Sequence, residues 1–487
     1  MKVFIITEGT KNTGFGHITR CLSLYQAFKE RGILPEFIIN GDNNIEYLLK
    51  DVNYQIFNWL DEKSKLFGIL KGADIAIIDS YLADISFCNV LSNLVKIPVY
   101  MDDNKRLDYP KGIVVNGSIY AEEPGYPHKD GVIYLLGTKY IPLRKEFWEV
   151  PQKKIKEKIK SIMVTFGGDN AKNMTPKILA FLNEKYPNLI KNVIIGKAFQ
   201  NIDEIKKYTD KNTNLIYYPD AEKMKEIMLE SDIAISACGQ TLNELASVGV
   251  PTTGVCIAEN QLGNIKGWEK IGFLEYAGWY NKKNILEKIK KVIERLKDTK
   301  ERKNKFKTAR KFIDRKGSLR IIRLSLFNLF KKNLILRKVN FEDALEIFNL
   351  SNDDLVRYNS YTPEKIEWEH HLKWLKDKLE NKNCIFFIIV NDLNKFLGQV
   401  RFDINTENKE ALINISLQKN IRGLGLSSFI IDKSVNKLLK IKSIKLIKAY
   451  IKDENIPSIR SFEKANFMFL DNQIIKGCKS KVYIREV

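Results

Sequence analysis

The densest run of chemically capable residues follows the first apolar stretch: Gly9-Thr10-Lys11-Asn12-Thr13-Gly14-Phe15-Gly16-His17. Glycines let the backbone close on a ligand, and a helix that starts at such a turn offers free N–H groups and its positive dipole end to an anion such as a diphosphate. Ile18, Cys21, Leu22, Leu24 and Phe28, closed by Gly32, predict that helix. His17 then sits at its N-terminus, where the dipole opposes imidazolium. It is expected as a neutral base able to take a proton from water. Two further loops match it. Phe166-Gly167-Gly168-Asp169-Asn170 follows another apolar run, and Ser236-Ala237-Cys238-Gly239 turns into Gln240-Thr241-Leu242-Asn243-Glu244, stopping at Gly249-Val250-Pro251. Glu244, one helical turn past Gly239, is expected to accept the hydroxyls of a ribose; its plainer role is an exposed helix charge. A fourth loop, Gln418-Lys419-Asn420-Ile421-Arg422-Gly423-Leu424-Gly425-Leu426-Ser427, opens onto Ile430, Ile431, Val435 and Leu438 and can also seat a phosphate.

These loops need strands before them and helices after them. Residues 3–6, 36–39, 74–78, 99–101 and 113–115 are short apolar strands separated by amphipathic segments, and 161–166, 193–195, 215–217, 233–235 and 252–255 repeat the alternation. Strand–helix alternation means a parallel sheet, so two α/β halves are expected, 1–150 and 151–333, hinged near Pro142 to Lys160. The pattern changes at Leu334. Strands at 385–390, 396–404 and 411–417 read as an antiparallel meander within a third domain, 334–487.

The 487 residues carry a formal charge of +21, of which Asn281 to Asn333 supplies +15 from 20 Lys and Arg against 5 Asp and Glu. Such a charge first points to nucleic acid or a membrane surface. Its concentration in one stretch, with Ile285, Ile289, Val292, Ile293 and Leu296 at helical spacing, favours solvated helix faces instead. No uncharged run of 18 apolar residues is present, and Glu8 interrupts the N-terminal apolar run too early for an export signal, so a cytoplasmic enzyme without a membrane span is expected. The six cysteines are dispersed without a C-x-x-C pair, and the four histidines, His17, His128, His370 and His371, do not cluster; reduced thiols and no metal are expected.

Taken together, Gly14 to Leu22, Asp79-Ser80-Tyr81, Met101-Asp102-Asp103, Phe166 to Asp169, Gly239 to Pro251 and Glu259-Asn260-Gln261 resemble the UDP-sugar hydrolases of pseudaminic acid biosynthesis, relatives of glycosyltransferases with the two-domain GT-B fold. The resemblance implies that water attacks the anomeric carbon of UDP-2,4-diacetamido-2,4,6-trideoxy-β-L-altropyranose and UDP leaves. It makes His17 the catalytic base and gives contacts to UDP or sugar to Gly14, Gly16, Arg20, Asp79, Tyr81, Asp103, Gly167, Gly168, Gly239, Thr241, Glu244, Asn260 and Gln261.

Residues 334–487 resemble the GNAT acetyl-CoA-dependent N-acetyltransferases, which implies an α+β domain after the GT-B-like pair of Rossmann-type domains. Acetyl-CoA is then the co-substrate, held by Arg422, Gly423, Gly425, Ser427 and Asn455. Phe462 stands where many members have a tyrosine acid, with Tyr450 as a substitute, and Glu367, Glu369, His370 and His371 read mostly as exposed helix charge. In that pathway the acetyltransferase acts on UDP-4-amino-4,6-dideoxy-N-acetyl-β-L-altrosamine and its product feeds the hydrolase. The expected partners are therefore a UDP-linked amino sugar and acetyl-CoA, not nucleic acid. Two rival readings are a GT-B glycosyltransferase fused to an acetyltransferase, and a non-catalytic basic nucleotide or nucleic-acid binder.

Overall fold

Hydrophobic patterning resolves into three sheets in a computed structural model of the chain, which describes residues 1–10, 15–41, 43–50, 52–168, 172–197, 199–200 and 202–487. The chain separates into two compact units, Met1–Ser325 and Leu326–Val487.

The first unit holds two parallel sheets. One contains β1 (Val3–Gly9), β2 (Glu36–Gly41), β3 (Tyr54–Ile56), β4 (Ile75–Asp79), β5 (Ile97–Met101), β6 (Gly112–Asn116) and β7 (Val132–Leu136), ordered 3-2-1-4-5-6-7. The other contains β8 (Ser161–Thr165), β9 (Ile190–Ile195), β10 (Thr213–Tyr217), β11 (Ile233–Ala237), β12 (Thr252–Cys256) and β13 (Leu274–Trp279), ordered 10-9-8-11-12-13. Both orders reverse direction beside their first strand. In a doubly wound sheet the crevice at that reversal, beyond the strands' C-terminal ends, is where ligands bind. The central strands β1, β4, β5, β8 and β11 are buried along their whole length, as a sheet covered on both faces requires. The helix Gly16–Lys29 closes the first crevice by burying Ile18, Cys21, Leu24 and Phe28. It ends in a turn at Gly32, where φ of +68° suits glycine.

The basic stretch forms the helices Ile285–Leu296, Thr299–Phe312 and Gly317–Asn333. Ile285, Ile289, Val292, Ile293 and Leu296 enter the core under the second sheet, so the periodic residues are structural. Two of the basic residues are themselves buried. Arg302 donates to the carbonyls of Leu296, Lys156 and Glu157, and Lys305 donates to that of Gly272 and pairs with Glu275.

The second unit is one mixed sheet of β14 (Ile335–Lys338), β15 (Cys384–Val390), β16 (Phe396–Asn405), β17 (Glu410–Leu417), β18 (Leu446–Lys452), β19 (Met468–Ile475) and β20 (Cys478–Glu486), ordered 14-15-16-17-18-20-19. β15 to β17 form the expected antiparallel meander. β17 and β18 run parallel and pair only over Glu410–Leu412 and Leu446–Lys448, after which they diverge. Among the described residues all six cysteines are free thiols, and no helix is long and apolar enough to cross a membrane.

Candidate functional site

In the first unit a cavity of about 390 Å³ opens between the two halves at both sheet reversals. Gly16, His17, Arg20, Tyr81 and Asp103 line it from the first half, and Gly239, Gln240, Asn243, Asn260, Gln261 and Asn264 from the second.

His17 stands in the first turn of its helix, as its sequence predicts, and its Nδ1 lies 2.6 Å from Asp79 Oδ1. Asp79 ends β4 and is fully buried. A carboxylate on Nδ1 fixes the tautomer with the proton there, leaving Nε2 as the lone-pair nitrogen. Arg20, one turn further along the helix, donates Nε and Nη2 to Asp79 at 2.7 and 2.6 Å and Nη1 to Asp103 at 2.5 Å. Tyr81 donates its hydroxyl to the other Asp103 oxygen at 2.6 Å, and its ring meets that of His17 edge-on at 4.7 Å. Behind them Glu8 accepts from the Ser80 hydroxyl and the Tyr81 amide, which anchors the β4 loop to β1.

The electrostatics differ from the expectation of a base held neutral by the helix dipole. Burial does oppose the His17 cation, but the charge and hydrogen bond of Asp79 outweigh it and raise the histidine above its ordinary 6.5. Asp79 itself, though buried, is held far below the usual carboxylate range by Arg20 and His17. His17 is thus a strengthened base rather than a weakened one.

Across the cavity, Gly239 caps the helix Gln240–Val248 without a side-chain bond, so the first amides of that helix lack an internal acceptor. Gln261 gives its Oε1 to the Ile257 amide, which leaves its NH₂ as the group it can present. Asn260 of the second half lines the cavity together with Tyr81 of the first. The helix Leu262–Lys270 packs against the first half through two glycines: a Cβ at Gly263 would overlap the Tyr120 ring, and one at Gly267 would overlap Ile119.

Of the residues expected at this site, Gly16, His17, Arg20, Tyr81, Asp103, Gly239, Asn260 and Gln261 line one cavity. Others do not. Asp79 does not line it, because its oxygens are spent on His17 and Arg20; it positions other groups. Glu244 is 3% exposed and outside the lining, its Oε1 held by Arg144 Nε and Nη2 at 2.9 and 2.8 Å. The expected ribose acceptor is therefore engaged by an arginine from the segment joining the halves. Burial raises its carboxyl despite that arginine. Thr241 lies on the same helix outside the lining. Gly167 and Gly168 are exposed and also outside it, with Gly168 against the Phe15 ring. Gly14, and Asp169 and Asn170 of the second loop, fall outside the described residues. Sequence reasoning passed over Gln240, Asn243 and Asn264, since a lone amide on an amphipathic helix carries no spacing signal.

In the second unit the divergence of β17 from β18 opens a cavity of about 970 Å³, lined by Ile413 to Leu417 on one side and Ala449 to Lys452 on the other. Arg422, Gly423, Ser427 and Asn455 line it; Gly425 does not. Gly425 is instead the left-handed N-cap, φ +92°, of the helix Leu426–Leu439, and makes the sharp entry that exposes that helix's N-terminus. Arg422 is held by Asp353 at 2.8 Å and the Leu417 carbonyl at 2.7 Å. Asn455 caps the helix Ile456–Lys464 through the Ser458 amide, and Phe462 is buried against Phe467 at the cavity wall. His371, read as exposed helix charge, is buried instead: its Nε2 bonds the Ala344 carbonyl at 2.9 Å and its ring stacks on Trp368.

The fold and these two cavities define a GT-B-like pair of Rossmann-type domains followed by a GNAT domain. Comparison with known proteins agrees. Residues 161–318 match the glycosyltransferase family 28 C-terminal domain and 333–468 the acetyltransferase (GNAT) domain. The chain is 26% identical over 96% of its length to an uncharacterized protein of Methanocaldococcus jannaschii, 96% of which is covered. It is 26% identical over 56% of its length to the pseudaminic acid cytidylyltransferase and UDP-2,4-diacetamido-2,4,6-trideoxy-β-L-altropyranose hydrolase of Helicobacter pylori, covering 48% of that protein. It is 23% identical over 57% of its length to the UDP-2,4-diacetamido-2,4,6-trideoxy-β-L-altropyranose hydrolase of Campylobacter jejuni, covering 99% of that one. The chain is an enzyme in which a region related to UDP-sugar hydrolases is joined to a GNAT acetyltransferase domain.

Proposed function

We propose that the chain carries out two consecutive steps on one UDP-linked sugar: acetyl-CoA-dependent N-acetylation of a 4-amino UDP-sugar in the second unit, and hydrolysis of the resulting UDP-2,4-diacetamido-2,4,6-trideoxy-β-L-altropyranose in the first. The observation that carries the hydrolytic reading is the His17–Asp79 pair at the wall of a cavity whose opposite wall is a helix N-terminus.

Asp79 keeps the proton on Nδ1, so Nε2 takes one proton from water as its oxygen attacks the anomeric carbon. The bond from that carbon to the diphosphate oxygen breaks, and the charge that develops on UDP is received by the Gln240 amide at the helix N-terminus and by the Gln261 NH₂. The imidazolium formed is stabilised by Asp79, whose own charge is secured by Arg20. Diphosphate is a good leaving group, so one base and these donors suffice in principle, the base contributing about 10²- to 10⁴-fold.

For the second unit, acetyl-CoA supplies an activated acetyl group. The Arg422–Ser427 turn and the N-terminus of the helix Leu426–Leu439 offer the amides that suit a diphosphate, and the β17–β18 gap suits an extended chain. The test is incubation of the chain with acetyl-CoA and the 4-amino UDP-sugar, with product identification. Diacetylated free sugar and UDP are expected. Transfer of the sugar to an acceptor hydroxyl, or no acetyl-CoA-dependent product, would overturn the reading.

A further inference from the structure

Among the described residues, the lining of the first unit's cavity includes two side-chain acceptors without a hydrogen-bond partner. Asn243, on the helix Gln240–Val248, is 6% exposed, and its Oδ1 is buried with no hydrogen-bond partner. Asn264, on the helix Leu262–Lys270, likewise has a buried and unpartnered Oδ1. Both line the cavity.

The orientation of the Asn243 amide follows from its neighbours. Gln240 donates Nε2 to the Pro142 carbonyl at 2.8 Å, which turns its Oε1 toward Asn243, and the Asn243 NH₂ lies 3.4 Å from that oxygen. Flipping Asn243 would set two carbonyl oxygens against each other, so the oxygen is the atom left over. A buried carbonyl without a donor costs stability. Two such oxygens on residues that line one cavity suit donors supplied from within it.

Charge limits what that is. A carbonyl oxygen repels a diphosphate, so neither oxygen faces the phosphates; the Gln261 NH₂ and the amides after Gly239 suit those. A diacetamido UDP-sugar carries no cation, so the donor it can offer is a neutral N–H or O–H. We infer, on the reading of this cavity as a nucleotide-sugar site, that Asn243 and Asn264 are specificity-determining residues whose carbonyl oxygens accept hydrogen bonds from neutral N–H or O–H donors of the bound UDP-sugar. A substrate analogue without the matching donor leaves the oxygen buried and unpaired, and sites of that kind discriminate strongly.

The experiment uses the full chain with Asn243→Leu and Asn264→Leu. Each is assayed for UDP affinity by calorimetry, for KM and kcat on the diacetamido UDP-sugar, and for thermal melting. Leucine is close in size and removes the acceptor. Each leucine variant is expected to lose at least about tenfold in UDP affinity or in kcat/KM, with its melting temperature unchanged or raised, because an unsatisfied buried group has gone. An equal loss for UDP and UDP-sugar assigns the donor to the nucleotide, and a loss with UDP-sugar alone assigns it to the sugar. Wild-type affinity and kcat/KM in both leucine variants overturns the inference while leaving the hydrolase reading intact. A lowered melting temperature with unchanged affinity makes the amides structural and overturns it too. A wild-type chain that neither binds UDP nor turns over the sugar overturns the hydrolase reading itself, and the inference with it.

Discussion

Replacing Asp79 with asparagine tests the hydrolytic site most sharply, because two effects must move in different directions. The asparagine carbonyl can still accept from His17 Nδ1, so the ring stays roughly in place, but the negative charge is gone. Loss of charge first removes what raises His17 above 6.5, so the acid limb of kcat/KM, which reports the free enzyme's base, should shift to lower pH. In the wild type that limb should lie above 6.5. The base becomes available at lower pH but is weaker, and the imidazolium formed in the reaction is less stabilised. The 2.6 Å contact is a hydrogen bond to a charged group, a class that contributes about 1.5 to 3 kcal/mol. At about 1.4 kcal/mol per factor of ten, the plateau of kcat/KM should fall about 10- to 150-fold. Arg20 keeps Asp103 and, through the asparagine oxygen, its Nη2 contact, while its Nε loses its acceptor, so a thermal melt accompanies the assay. The assay is UDP release from the diacetamido UDP-sugar between pH 5 and 9. A limb that does not move, or a plateau equal to the wild type, would refute the Asp79–His17 pairing as the source of base strength.

Three other expectations follow from the same geometry. On the proposal that the ring acts on water rather than on the nucleotide, His17→Asn should reduce kcat by at least about 10²-fold with UDP affinity, read by calorimetry, nearly unchanged. Ser427→Glu places an acid in the first turn of the helix Leu426–Leu439, where it suits the dipole and keeps the fold, yet repels a diphosphate; acetyl-CoA affinity should fall at least about tenfold, with hydrolysis of the diacetamido UDP-sugar unchanged. Gly263→Ala forces a methyl into the Tyr120 ring and should destabilise the first unit by about 1 to 3 kcal/mol in urea titration, whereas Gly272→Ala, with open space around it but a positive φ, should cost only its backbone strain.

Strand positions, the repeated α/β pattern and the start of the meander were legible because apolar runs bounded by Gly-rich turns leave few alternatives. His17 was legible for the same reason: a glycine turn after the first strand dictates where the next side chain stands. Its electrostatics were not. The dipole argument was sound as far as it went, but Asp79, 62 residues away and 2.6 Å from the ring, outweighs a partial charge. Glu244 shows the same limit. Its place on the helix could be read, but not its engagement by Arg144, 100 residues earlier. Arg302 and Lys305 read as solvated charge because composition cannot show carbonyls converging on a buried cation. Asn243 and Asn264 left no trace in spacing, since what marks them is a missing partner.

The two glycines of the helix Leu262–Lys270 make its bare backbone the bearing on which Ile119 and Tyr120 rest. That helix also carries Asn264 and follows directly on Asn260 and Gln261, whereas Tyr120 leads back to the half that carries His17. The separation of the cavity's two walls is therefore gauged by the thickness of one helix backbone. Any side chain added at 263 or 267 acts as a shim: it leaves every reacting group chemically intact and moves the two walls apart. The spacing of the walls is in this sense set at positions outside the cavity lining, and a change there would leave the His17–Asp79 pair in place.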